Sequence, residues 1–187
     1  MMMQLKDKLI LIDCDGVMLD FMYGFHRWMA ESYDIPRIYP QLTTIAEQYN
    51  ITKGQSYSLV VEFFEDEDSE FLPPVGGAVY WMRELYEKHG YVFKVISNAP
   101  KFNSFKRERN LHRVFNPNYF DGIHCNGMGN SKHDLLLPFK DSNCWFIDDH
   151  VKNIVVAESL GLRTIQFNEK LCPWETVYNI ITYAKEN

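Results

Sequence analysis

At 187 residues the chain has the length of one domain, with room for a small insertion and a substantial core. Its 46% hydrophobic and 24% charged residues are the proportions of an ordinary soluble globular protein, and no stretch reaches the length of a membrane span. The net charge of -6 argues against a sequence-independent grip on a nucleic-acid polymer, which needs clustered Lys and Arg, but it leaves room for a small anionic ligand at a locally positive site.

The start, Met1 to Asp7, lacks the long apolar core of a signal peptide. Cys14, Cys125, Cys144 and Cys172 are widely spaced and form no C-x-x-C pair, so reduced thiols in a cytoplasmic protein are expected rather than a disulfide or a zinc site.

Leu9-Ile10-Leu11-Ile12 then runs straight into Asp13-Cys14-Asp15-Gly16-Val17. The apolar run reads as a short buried strand that the glycine ends. Both carboxylates therefore fall at the carboxyl end of a strand, where open α/β sheets bind ligands. Two carboxylates this close repel unless a cation or a shared proton relieves them, and magnesium, which takes a few carboxylate oxygens and leaves room for water and phosphate, is the economical cation. Cys14, between them, is expected to point away and pack as a small apolar group.

Between Asp20 and Pro73 no strand is evident. Phe21 to Tyr33 reads as a helix with Phe21, Phe25 and Trp28 on one stripe, and Tyr39 to Tyr49 and Gln55 to Glu65 are further helical candidates. Three helices exceed what one crossover needs. Residues 20–73 are therefore expected to form a small helical insertion lying over the carboxylates, with 1–19 and 74–187 as the main domain. The aromatic stripe is expected to pack the insertion's own core, with at least one ring free to meet a ligand. His26 and Arg27 read as packing or surface residues, and the acidic run from Glu65 to Glu70 as a solvated loop.

Beyond it, strands are expected at Tyr91 to Ser97, Gly122 to Cys125, Cys144 to Asp148 and Arg163 to Phe167, adding to the first at Lys8 to Asp13. Helical spacing marks Val75 to His89, stopped by Gly90, and Val151 to Leu160, stopped by Gly161. Strands alternating with helices imply an α/β fold with a mainly parallel sheet covered on both faces.

Four chemistry-bearing features fall at strand ends in chain order. They are the Asp13/Asp15 pair, Ser97-Asn98 after Val95-Ile96, Lys132, and Asp148-Asp149 after Trp145-Phe146-Ile147. Each alone has a bland reading as a turn, a cap or a surface charge. Together they bring carboxylates, a hydroxyl donor and a cation to one sheet end, which suits a cation and a phosphate.

In these motifs, taken in order, the chain resembles phosphatases of the haloacid dehalogenase (HAD) superfamily over essentially its whole length. The stretch from Asp149 through Asn153 and Ala157 to Gly161 is also typical. The insertion sits where the family places a type-one cap, and its small size is similar to that of deoxyribonucleotidase-like members.

The resemblance implies a three-layer Rossmann-like core and a magnesium-dependent phosphomonoester hydrolase. Asp13 is then the nucleophile that forms an aspartyl-phosphate, and Asp15 the general acid and base. Dehalogenating members of the superfamily lack the second aspartate. Magnesium is then held by Asp13, the backbone carbonyl of Asp15, and Asp148 or Asp149, with the choice between the last two open. Ser97 and Lys132 bind the phosphoryl group, and Asn98 either joins them or only shapes a turn. Asn153 either supports its helix or holds a carboxylate of the last motif.

Lys106 and Lys101 compete with Lys132 for the phosphate-bridging role. Lys132 is favoured because it opens a helix directly after the third strand region, and the other two then belong, with Arg107 and Arg109, to a solvated basic helix face. His133 and His150 adjoin the site in sequence but have no step to perform. The implied substrate is a small phosphomonoester, a nucleoside monophosphate being the leading choice. A phosphomutase or phosphotransferase uses the same aspartates and is the alternative. A non-catalytic binding module is disfavoured because every motif residue is present. Oligomeric state leaves no mark in the sequence.

Overall fold

Leu9–Ile12 (β1) is buried along its whole length, as a strand covered on both faces must be. This computed structural model describes residues 8–184, so the expectation about Met1 to Asp7 and the last residues of the chain lie outside the described residues. Beside β1 lie Val92–Ser97 (β2) and Trp145–Asp148 (β4), with Phe120–Cys125 (β3) and Arg163–Gln166 (β5) at the edges. The order is β3-β2-β1-β4-β5 and every pairing is parallel. All five expected strands are present.

Alternation along β1 divides the core in two. Ile10 and Ile12 pack with Phe93, Val95, Ile147 and Trp174 on one face, and Leu9 and Leu11 with Phe146, Ile154, Ala157 and Leu160 on the other. Each fully buried aliphatic side chain contributes about 1.5–3 kcal/mol relative to exposure. The edge strands β3 and β5 are more polar and less buried, as their single neighbour allows.

Between β1 and the next long helix lie Phe21–Tyr33 (α1), Ile45–Tyr49 (α2) and Lys53–Glu65 (α3). The second is shorter than the expected Tyr39 to Tyr49. Pro40 disfavours helix in the residue before it, and Thr44 and Glu47 form a capping box that starts the helix at Ile45. The same device at Thr52 and Gln55 starts α3 two residues before the expected point.

The run from Glu65 to Glu70 is solvated only in its first half, where Glu65, Asp66 and Glu67 are exposed. Glu67–Glu70 is a 3₁₀ turn, Ser69 and Glu70 are buried, and the Glu70 carboxylate pairs with Arg109 and Arg113 at 2.8 and 3.1 Å.

Ala78–His89 (α4) starts later than expected, after Gly77 at φ +81, and ends at Gly90 as expected. Ser104–Val114 (α5) follows β2, His133–Leu136 (α6) follows β3, and Val151–Ser159 (α7) follows β4. A last helix, Trp174–Tyr183 (α8), closes one face and was not expected from the sequence. Its Trp174 and Val177 join the core, and the Trp174 indole N–H donates to the Val17 carbonyl at 2.9 Å. Among the described residues no helix is long and apolar enough to cross a membrane.

Candidate active site

The four features meet because β1, β2 and β4 are adjacent and parallel, so their carboxyl ends point the same way. Asp13 leaves β1 with its N–H donating to Ile147 O on β4 at 2.9 Å. Gly16, at φ +85, then turns the chain back, and Gly16 N–H donates to Leu19 O at 2.8 Å.

Lys132 is the hub. It is fully buried, with Nζ 2.9 Å from Asp13 Oδ1 and 2.7 Å from Asp148 Oδ2. Burial alone would lower its pKa, but the charges of Asp13 and Asp148 outweigh that and raise it. Asp13 Oδ1 also accepts the Cys14 N–H at 2.7 Å.

Asp148 is saturated. Its Oδ1 accepts from His150 N at 2.8 Å and Asn153 Nδ2 at 3.0 Å, and its Oδ2 from Asn153 Nδ2 at 3.0 Å in addition to Lys132. Asn153 therefore holds a carboxylate, the second of its two expected roles. Asp149 is the more open of the pair.

Asp13, Asp148 and Asp149 offer carboxylate oxygens within 4.8 Å of one another. Burial, with help from Asp148, pushes Asp13 up to about 8 even against Lys132, and burial with Asp148 pushes Asp149 up to about 6. The cluster carries more negative charge than its one lysine balances. A hard, oxygen-seeking divalent cation such as magnesium fits that donor set.

On the other side of Asp13, Ser97 Oγ donates to Asp15 Oδ2 at 3.3 Å and accepts the Ala99 N–H at 3.0 Å. Asn98 Nδ2 donates to Asn130 O at 3.2 Å, while its buried Oδ1 has no partner among the described residues. Asp13, Asp15, Ser97 and Asn98 form the floor of a cavity of about 210 Å³ whose roof is Phe21, Val60 and Phe64. A larger cavity of about 440 Å³ reaches Asp149 along Gly16, Asp20, Met22 and Val75.

Of the aromatic stripe, Phe25 and Trp28 pack against Phe63 in the same buried cluster as Ile10 and Ile12 of β1, and Phe21 faces the site. His26 pairs with the Tyr49 hydroxyl at 2.8 Å, and Arg27 reaches Asp68 at 3.5 Å. His133 contacts Asp134, and His150 caps α7 by accepting the Lys152 N–H at 3.2 Å. Cys14 is buried in the core as expected.

The competing lysines lie elsewhere. Lys101 is exposed. Lys106 donates to the carbonyls of Phe64, Glu65 and Asp66 at 3.0, 2.7 and 2.8 Å, at the end of α3, where a cation offsets the helix dipole.

The solvated basic face expected on α5 is a correction of substance. Arg107 is fully buried, with Nη2 2.9 Å from Asp15 Oδ1 and Nε donating to Asp15 Oδ2 at 3.3 Å. No residue near Arg107 in sequence announces it. The one available signal is the polar stripe Asn103, Arg107 and Asn110 at helical spacing with Leu111, all of them buried.

No protein-family model matches the chain, and no curated protein matches it. Solved structures do. A hydrolase from Streptococcus pneumoniae TIGR4 is 15% identical, covering 96% of this chain and 99% of that one, with a TM-score of 0.62. The HAD-hydrolase YfnB from Bacillus subtilis, solved with magnesium, is 16% identical over 94% and 98%, with a TM-score of 0.61. A HAD family hydrolase from Deinococcus radiodurans R1, solved with phosphate and sodium, is 16% identical over 86% and 80%, with a TM-score of 0.53. The chain shares its fold with these solved hydrolases.

Proposed function

We propose that the chain is a magnesium-dependent phosphomonoester hydrolase acting through an aspartyl-phosphate. The observation that carries the proposal is the buried Lys132 held between Asp13 and Asp148, with Asp15 and Ser97 beside it at the floor of a cavity.

Lys132 and the Cys14 N–H both engage Asp13 Oδ1, which leaves Oδ2 as the attacking oxygen. That oxygen bonds to phosphorus while the bond to the ester oxygen breaks, and Asp15 gives the leaving oxygen its proton. In the second step Asp15 takes a proton from water, whose oxygen attacks phosphorus and releases Asp13 as a carboxylate. Ser97 Oγ and Lys132 Nζ donate to phosphoryl oxygens through both steps. Asp13, Asp149 and the Asp15 carbonyl would hold magnesium, with the saturated Asp148 anchoring Lys132 beside them. When bound, the ion shields the charge that the carboxylate shares with the phosphate, so that two anions can meet.

In this reading residues 20–73 are the cap, and Phe21, Val60 and Phe64 cover the leaving group. An apolar, partly aromatic roof over a polar floor suits a small metabolite with a flat or hydrophobic part, a nucleoside monophosphate first. Such substrates and reduced thiols fit a cytoplasmic location.

The test is phosphate release across nucleotides, sugar phosphates and small phosphoacids, with magnesium and with chelator, beside Asp13→Asn. Magnesium-dependent release lost in the variant supports the proposal. A folded wild-type protein that releases phosphate from none of them overturns it.

A further inference from the structure

Helix α5 grips the insertion with one face. Lys106 caps the end of α3, and Asn110 holds Leu72 by both backbone groups at 3.0 Å. Arg113 donates to Glu70 O at 2.9 Å. Arg107 belongs to this row but reaches in both directions. Its Nη1 donates to the Ser69 carbonyl of the insertion, and its guanidinium lies over the Phe64 ring, 5.1 Å from the centroid. The other edge of the fork meets both oxygens of Asp15.

We propose that Arg107 is a positioning residue for Asp15, aiming its carboxylate at the leaving group. The inference rests on the hydrolase reading above.

Three observations separate this from an ordinary buried ion pair. First, a fully buried guanidinium is costly unless its fork is satisfied, and here it is divided between the acid and the insertion, not spent on one partner. Second, Arg107 Nη2 and Asp15 Oδ1 are 2.9 Å apart, yet neither makes an aligned hydrogen bond with a described residue. The contact fixes the carboxylate through charge and through Nε, and leaves a lone pair of Oδ1 unclaimed. Third, Arg107 meets both oxygens of Asp15 through two different nitrogens, so the carboxylate is braced at two points and its plane cannot rotate freely. Phe64, on which Arg107 lies, also roofs the cavity, so the residue that covers the leaving group and the residue that would protonate it share one support.

The chemistry gives a selective readout. As the phosphorus–oxygen bond breaks, the electron pair goes to the leaving oxygen. An alkoxide needs the Asp15 proton, whereas para-nitrophenolate departs stably without one. Since kcat/KM covers the steps through departure of the leaving group, a misaimed Asp15 lowers kcat/KM for an alkyl phosphomonoester far more than for para-nitrophenyl phosphate.

The experiment compares wild type, Arg107→Lys, Arg107→Met and Asn110→Ala on para-nitrophenyl phosphate and on the alkyl phosphomonoester best released in the substrate screen. If wild type releases phosphate from neither, the hydrolase reading fails, not the assignment of Arg107 within it. With an active wild type, Arg107→Met is expected to lose on the order of 100-fold in kcat/KM on the alkyl ester and only a few fold on the aryl ester. Arg107→Lys should recover part of that difference. Should the methionine variant not fold, the lysine variant decides, since it keeps the charge and loses the fork. Asn110→Ala loosens the grip on Leu72 without touching Asp15 and should leave the ratio of the two esters unchanged. Equal losses on both esters, or the same altered ratio in Asn110→Ala, overturns the proposal.

Discussion

A Cβ built on Gly16 would stand 2.8 Å from Asp149 Oδ2, so the turn after the first aspartate pair and the last aspartate pair are in contact. Gly16 is thus required twice, once for its φ of +85 and once for the absence of a side chain. Gly16→Ala should lower stability by roughly 1–3 kcal/mol and push Asp149 out of the carboxylate cluster. Chemical denaturation measures the first effect. Magnesium titration followed by the rise in melting temperature measures the second, and an unchanged magnesium response would show that Asp149 does not depend on this contact.

The two lysines that competed for one role should separate cleanly. Lys132→Met leaves Asp13 and Asp148 buried without their cation, a loss of about 3–5 kcal/mol for a broken buried pair. Protonation of a carboxylate relieves part of it at lower pH. Phosphate release should fall to background. Lys106→Met removes donors from three carbonyls at the end of α3, worth about 1 kcal/mol, and should leave turnover within a few fold. If Lys106→Met abolished turnover of a folded protein and Lys132→Met did not, the assignment of the phosphate-bridging lysine would be reversed.

How much of this was legible beforehand depends on the kind of signal. The strands showed because β1 and β4 are covered on both faces and must be continuous apolar runs. Asp13, Asp15, Ser97, Lys132 and the Asp148-Asp149 pair showed because each ends such a run or opens the next helix. Arg107 did not, because what covers it, Phe64 and Ser69, arrives from far away in sequence, and an arginine among Lys106, Glu108 and Arg109 looks solvated. The Glu67–Glu70 turn was misread for the same reason, since Arg109 and Arg113 come from α5. Capping boxes at Thr44 and Thr52 were readable, and they set the two helix starts that periodicity alone misplaced.

Magnesium and protons should compete for the cluster. Folded Asp13 and Asp149 hold their protons to about 8 and about 6, against 3.8 for each without these surroundings. As pH rises from near 4 through these values, the unfolded chain gives up protons that the folded, metal-free chain retains. The metal-free protein therefore loses stability across that window. A bound cation removes the penalty, so the rise in melting temperature on adding magnesium should grow with pH and level off above about 8. Asp149→Asn should shrink that rise while leaving the contacts of Lys132 intact. A magnesium response that is flat with pH, or one that Asp149→Asn leaves unchanged, contradicts the assigned ligand set.

A separate pH dependence belongs to α1. His26 is half-buried, its Nδ1 2.8 Å from the Tyr49 hydroxyl, and its pKa falls from 6.5 to about 4, mainly through burial and with help from Arg37. The folded state thus prefers the neutral ring. Below pH 6.5 the unfolded chain takes up a proton that the folded chain refuses until about 4, so stability from this group is present above 6.5 and lost as pH falls through that window. His26→Gln keeps a polar partner for Tyr49 and has no such titration. Between neutral pH and pH 4 the wild type should lose more in melting temperature than His26→Gln, with tryptophan fluorescence from Trp28, which packs beside Phe25 in the same cluster, as a local probe. Parallel melting curves for the two proteins across that range would mean that His26 takes up its proton without cost in the folded state.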